Sequence, residues 1–164
     1  RNIHRKHPGD VVLAYKHFCQ LVDKNGGNAA EDCALLMHTQ PVDPNGTDLV
    51  ALVGELCSEY MVLFDDKVVP SPKLNILYNV ADVVLNMASN EGFGLGTAEA
   101  IAAGTPIVVN VTGGLQDQCG FINPNGLNLC SHQTFHCKVQ YQLLIFLMIE
   151  QTSEMLVRLY TSGT

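Results

Sequence analysis

Between positions 83 and 103 the chain passes from an apolar stretch, through a turn built on alternate glycines, into a run of small residues. The stretch Val83-Val84-Leu85-Asn86-Met87 has the length and β-branched content of a buried strand. The turn Glu91-Gly92-Phe93-Gly94-Leu95-Gly96 follows it, and 97–103 reads as a tightly packed helix. Strand, glycine turn and helix in that order aim free backbone N–H groups and the positive end of a helix dipole at one spot, which suits an anion. Glycine at 92, 94 and 96 lets the backbone take unusual dihedrals and lets a ligand come close. Two carboxylates, Glu91 and Glu99, bracket the turn. A carboxylate repels a bare phosphate, so the pattern favours a ligand that also carries hydroxyls, as a nucleotide-sugar does.

The rest of the chain gives this unit a setting. After Pro8, which suits a first helical turn, Val11, Val12, Ala14, Tyr15, Phe18, Cys19 and Val22 recur at helical spacing until Asn25-Gly26-Gly27 stops them. Positions 33–37 read as a short buried strand, 41–46 as a loop with a Pro-Asn-Gly turn, and 49–56 as a helix capped by Asp48. A strand at 60–64, a helix opened by Ser71-Pro72 with Leu74, Leu77 and Tyr78 inward, and a strand at 107–111 complete the order. Alternation of this kind predicts an α/β fold, a Rossmann-like doubly wound parallel sheet with helices on both faces and the 83–87 strand central. Ligands of such sheets bind beyond the carboxyl ends of the strands, where the Glu91 turn falls. A doubly wound domain normally opens on a strand, whereas this sequence opens on the loop after one, so a first strand is expected to be missing.

A chain of 164 residues suits one domain of 1–122 with a shorter segment, 123–164, packed on it and expected to be helical. Its 47% hydrophobic content fits a globular protein, and a net charge of −7 argues against nucleic acid as a partner. Basic side chains nevertheless gather at the start, Arg1, Arg5 and Lys6, with His4 and His7 between them. No stretch reaches the ~18 apolar residues of a membrane span, so a soluble, cytoplasmic protein or a piece of a longer one is expected. Cys19, Cys33, Cys57, Cys119, Cys130 and Cys137 form no C-x-x-C pair and read as reduced thiols. Cys119, Cys130, His132, His136 and Cys137 fit no common zinc spacing, so no metal site is expected. The run 143–149 is apolar all round and should be buried against the domain or against another chain, a route to self-association. Of the histidines, His38 is placed at the edge of the site.

The stretch from Glu91 to Glu99 resembles the paired-glutamate motif of retaining GT-B glycosyltransferases, the glycosyl transferases group 1 family, in its C-terminal donor-binding domain. Ala81-Asp82-Val83 before it, and Gly104-Thr105-Pro106-Ile107-Val108-Val109 and Thr112-Gly113-Gly114 after it, are similar in the same order. The resemblance covers about 1–121 and departs at Gly96, where the family often has Ser or Thr. It implies the C-terminal half of a GT-B fold, with a further N-terminal domain that holds the acceptor. It also implies transfer of a hexosyl group from a UDP-, GDP- or ADP-sugar with retained configuration, and neither a cofactor nor an essential metal. Acceptor, base and sugar are not readable.

By the same resemblance Arg1 and Lys6 would bind the donor diphosphate, where fixed cations stabilise the charge of the leaving group. Glu91 would contact the donor sugar as the catalytic-site carboxylate, and Glu99 would accept hydrogen bonds from both ribose hydroxyls. Gly92, Phe93, Gly94 and Leu95 would act through backbone N–H groups, with the Phe93 ring as a core plug. Two alternatives stay open: a nucleotide-binding fragment without activity of its own, and a nucleotide-sugar epimerase or phosphorylase on the same fold. A glycosidase pair is disfavoured, since such carboxylates flank one bond. A dinucleotide fingerprint is disfavoured too, because the third glycine comes one residue early.

Overall fold

The computed structural model describes residues 1–119. Helix α1 (Pro8–Lys24) starts on Pro8 and buries Val12, Tyr15 and Cys19 on one face. The short α2 (Ala29–Asp32) leads into strand β1 (Ala34–Met37). Helix α3 (Leu49–Leu56) is capped by Asp48, whose carboxylate accepts from the Ala51 N–H at 3.0 Å. Strand β2 (Met61–Phe64), helix α4 (Ser71–Val80) and strand β3 (Val84–Asn86) follow. Helix α5 (Leu95–Ala103), strand β4 (Ile107–Val109) and the single turn α6 (Leu115–Gln118) complete the order. The expected alternation of helix and strand is therefore present within one or two residues at each boundary.

Both strand pairs are parallel. Ala34 to Met37 of β1 lie beside Met61 to Phe64 of β2, and Val84 to Asn86 of β3 beside Ile107 to Val109 of β4. Helices pack on two faces. Leu35 and Met37 of β1 join Val12, Tyr15 and Cys19 of α1 and Leu49 of α3 in the main core, and Val83 and Leu85 pack against the same cluster. Ala34, on the other side of β1, meets Val80 of α4. The Tyr15 hydroxyl, fully buried, donates to the Cys33 carbonyl at 2.9 Å and so fixes α1 against the entry to β1. Cys19, Cys33 and Cys57 are buried free thiols of this core; Cys119 is also unpaired, and burial pushes all four thiols up.

The sheet itself differs from expectation. It is two two-stranded sheets, and β3 has a strand neighbour on one side only, so the 83–87 strand is not central among the described residues. A cavity of about 360 Å³ lies between β1 and β3, lined by all four residues of β1 and by 83–87. β1 and β3 do not pair with each other among the described residues. The segments 123–164 and 143–149 and the cysteine–histidine group beyond Cys119 lie outside the described residues. Among those described, no helix is long and apolar enough to cross a membrane.

The start of the chain is held in place. Asn2 is fully buried, and its amide donates to the carbonyls of Pro41 (3.2 Å) and Thr47 (2.6 Å) while its oxygen accepts from the Thr47 N–H (3.1 Å). This pins residues 1–3 to the loop after β1 and delivers the turn His4–Lys6 to the carboxyl end of the strands. Asn2→Ala strands buried polar groups of that loop, and chemical denaturation should report a loss of about 1–3 kcal/mol. A loss within experimental error would mean that the 41–47 loop holds its shape without Asn2.

Candidate functional site

The site is assembled at the carboxyl end of β3. Asn86, the last residue of that strand, turns the chain: its oxygen accepts from the Ala88 N–H at 3.1 Å, and its amide donates to the Thr97 hydroxyl at 3.1 Å and to Glu91 at 3.3 Å. One side chain thereby ties strand, turn and the first turn of α5 together. Asn110 donates to the Ala88 carbonyl at 3.0 Å and the Thr112 hydroxyl to the Ser89 carbonyl at 3.1 Å, which anchors the turn to the loop after β4.

Gly94 takes a φ of +83° and stands immediately before α5, a conformation that favours glycine. No side chain caps α5, so its first N–H groups have no side-chain acceptor. The Thr112-Gly113-Gly114 turn lies flat against the Glu91 turn, with the Gly114 N–H donating to the Glu91 carbonyl at 2.8 Å. A Cβ on Gly113 would strike the Glu91 carbonyl and one on Gly114 the Gly92 carbonyl. Glycine is needed at both positions for close backbone approach.

Glu91 is 4% exposed and ionic. Lys6 Nζ donates to its Oε1, and Arg5 donates through one guanidinium nitrogen to its Oε2 at 3.2 Å and to the Asn90 carbonyl at 2.7 Å. Burial works against the charge, but the hydrogen bonds from Lys6, Arg5 and Asn86 prevail and hold the carboxyl below the ordinary glutamate value. Ser89 closes the contact from the other side, its N–H donating to the Arg5 carbonyl at 2.9 Å.

Arg1 lies further out. Its Nε donates to Asp43 at 3.2 Å, and its side chain is 65% exposed. The Asn45 N–H and the Arg1 guanidinium hold the Asp43 carboxyl below the usual range. Glu99 is exposed on α5 and accepts from the Tyr78 hydroxyl at 2.8 Å. Burial, with Glu99 as the acceptor, pushes the Tyr78 phenol up. Arg1, Lys6, His38, Tyr78, Glu91 and Thr97 all line the cavity between β1 and β3, whereas Glu99 reaches it only through Tyr78. His38, at the carboxyl end of β1, pairs through Nδ1 with Asp65 at the end of β2, 3.1 Å away.

Residues 22–120, more than half of the chain, match the family described as Family 4 Glycosyltransferase in conflict systems. The chain belongs to that family. A D-inositol 3-phosphate glycosyltransferase of Corynebacterium urealyticum is 49% identical over 47 residues, which is 29% of this chain and 11% of that protein. The chain thus covers far less than two thirds of that relative. The match to this glycosyltransferase family includes the Glu91–Glu99 stretch that carries the resemblance and leaves the basic segment at the start outside it.

Lys6 and Glu91 are brought into direct contact. Gly92 and the Phe93 and Leu95 side chains face outward. The Phe93 ring is 60% exposed, so it is no core plug; the plug beneath the turn is Leu115, fully buried against Gly94. Arg5 and Asn86 were not singled out from the sequence, although both touch Glu91. Arg5 stands next to Lys6 in a basic run, and the turn His4–Lys6 brings both to Glu91.

A depressed folded-state pKa gives stability that is fully present above the unfolded value and is lost as pH falls through the folded one. Glu91 therefore stabilises the fold above the ordinary glutamate value of 4.5, and that contribution disappears at more acid pH. In Glu91→Gln, melts between pH 7 and pH 3 should lose this component of the acid slope and start from lower stability at pH 7. An unchanged slope would mean that the Lys6 and Arg5 contacts do not bias Glu91 ionisation.

Proposed function

We propose that residues 1–119 form the donor site of a retaining glycosyltransferase, the C-terminal, doubly wound half of a GT-B fold. It would take a UDP-, GDP- or ADP-sugar and pass a hexosyl group to an acceptor held by a second domain. The observation that carries this reading is the convergence of Lys6 and Arg5 on buried Glu91 beside the uncapped start of α5. Two cations against one carboxylate leave a net positive charge where the helix dipole adds to it. That combination suits a diphosphate whose negative charge grows as the glycosidic bond breaks.

Roles follow from position. Lys6 and Arg5, with Arg1 at the rim, hold the diphosphate together with the N–H groups of Gly94 and Leu95. Glu91, already ionised, accepts from a hydroxyl of the donor sugar. Glu99, oriented by Tyr78, accepts from the two ribose hydroxyls. Retention proceeds by front-face attack, the departing phosphate helping to take the acceptor proton, so no covalent nucleophile is required of this chain. An acceptor positioned against the anomeric carbon accounts for about 7–11 kcal/mol of barrier lowering in such a step. Residues 1–119 by themselves would bind donor and turn over little or none.

Calorimetry on the folded full chain with UDP, GDP and ADP and their glucose conjugates tests this. One series should bind, and Glu99→Ala should weaken it by about 1.5–3 kcal/mol if its two bonds are charge-assisted. Glu91→Gln should weaken the nucleotide-sugar more than the bare diphosphate, because only the conjugate loses a sugar contact. No heat from any of the six at millimolar concentration would end the donor-site reading.

A further inference from the structure

The first parallel pair continues one step beyond its strands. His38 follows Met37, the last residue of β1, and Asp65 follows Phe64, which lies beside Met37 at the end of β2. The Asp65 N–H donates to the Met37 carbonyl at 3.0 Å and prolongs the ladder, so both residues stand at the carboxyl ends of their strands. There His38 Nδ1 pairs with Asp65 Oδ2 at 3.1 Å, and the Lys67 N–H donates to Oδ1 at 3.2 Å. The Asp65 side chain is 5% exposed and the His38 side chain 37%. A carboxylate so deep requires donors, which assigns a proton to Nδ1 and leaves Nε2 as the nitrogen for a ligand.

Thr39, the next residue, carries an independent signal. Its hydroxyl is buried and has no hydrogen-bond partner among the described residues. A buried polar group of that kind calls for an explanation, and a ligand group is one. His38 and Thr39 line the same cavity as Lys6, Tyr78 and Glu91.

The carboxylates here are already engaged: Glu91 by Lys6, Arg5 and Asn86, and Asp65 by His38 and Lys67. The Tyr78 hydroxyl is committed to Glu99. What remains is capacity to donate, from the spare protons of Lys6, from the Thr39 hydroxyl, and from Nε2 of His38 once the ring is charged. A cluster of anionic oxygens matches that set, and a phosphate supplies one.

We propose that His38 and Thr39 are phosphate-contacting residues of the donor site, gripping the diphosphate from the end of β1 while Lys6 and the start of α5 hold it from the β3 side. The inference rests on the donor-site reading and adds to it two residues and a pH dependence. His38 holds phosphate as the imidazolium, with Asp65 as its counter-ion. Its contribution is therefore present at acid pH and fades as the ring loses its proton. Asp65 faces the ring from β2, and Arg1, Lys6, Tyr78 and Glu91 share the cavity with it.

Inorganic pyrophosphate is the probe, because it carries neither base nor sugar. Calorimetry compares the full chain with His38→Gln and Thr39→Val at pH 6 and pH 8, each as a ratio to wild type at the same pH, since pyrophosphate itself titrates. His38→Gln should weaken binding about tenfold at pH 6 and less than about threefold at pH 8. Thr39→Val should weaken it about threefold to tenfold at both, and its Tm should not fall, because the lost hydroxyl had no partner. In NMR titrations the His38 ring should keep its proton to higher pH with pyrophosphate than without, as reciprocal coupling requires. Ratios near one for His38→Gln at both pH values would overturn the proposal while leaving the donor-site reading in place. An equal loss for the bare nucleoside would overturn it too, by putting His38 on the base, and a lower Tm for Thr39→Val would remove Thr39 from the site. Failure of wild type to bind pyrophosphate would also overturn it. If the nucleotides failed as well, the donor-site reading would fall with it.

Discussion

A carboxylate that is 4% exposed has given up most of its water, and it stays charged only where donors replace that water. Glu91 obtains them from Lys6 and Arg5, 85 and 86 positions earlier, and from Asn86 at the end of β3. The ion pairs therefore do more than neutralise a charge. They close the chain so that its first residues lie over the turn after its third strand. Both cations keep water on one side, with 31% and 48% of their side chains exposed. A pair that is half solvated adds little stability by itself. Removing the buried partner is a different matter, because it leaves the inner faces of two cations without their carboxylate acceptor.

The shape that presents Glu91 comes from the backbone. Two glycine turns, 91–94 and 112–114, lie in van der Waals contact and share the Gly114 N–H to Glu91 carbonyl bond. Any side chain at 113 or 114 would push the turns apart. Leu115, at the start of α6, then drops beneath Gly94 and is fully buried there. The carboxyl ends of β3 and β4 are thus locked to each other independently of the charges, and the ion pairs act on a turn that is already formed.

How much of this the sequence carries follows from the range of each interaction. The helices and strands were legible because their signals are local: the apolar spacing of α1, the Asp48 cap, and the glycines around α5 all act within a few residues. Glu91, Lys6 and the turn were legible for the same reason together with a family resemblance that spans them. Arg5 was not, since the turn that brings both adjacent cations to Glu91 is fixed by Asn2, whose partners are about forty residues away. Phe93 was misplaced because a large apolar residue between glycines reads as core. In the fold, Leu115 had already taken the space under the turn. The division of the sheet was equally out of reach, because alternation gives the order of strands along the chain and not the neighbours each one finds.

On the proposed reading, an acidic protein must take up an anionic ligand. The chain carries a formal charge of −7, and a dianionic ligand is repelled at long range. At the ionic strength of a cell, charges more than about 8 Å apart are largely screened, so what the ligand meets is the local field. That field is set by Lys6, Arg5 and the start of α5 against Glu91. On the proposed reading Glu91 need not release its partners when a diphosphate arrives. Lysine has three donors and arginine five, and each uses one or two here. Both side chains keep exposed surface, from which the remaining donors could serve a phosphate. Glu91 then serves to hold the two cations in one orientation beforehand, so that ligand binding costs little further ordering of long side chains.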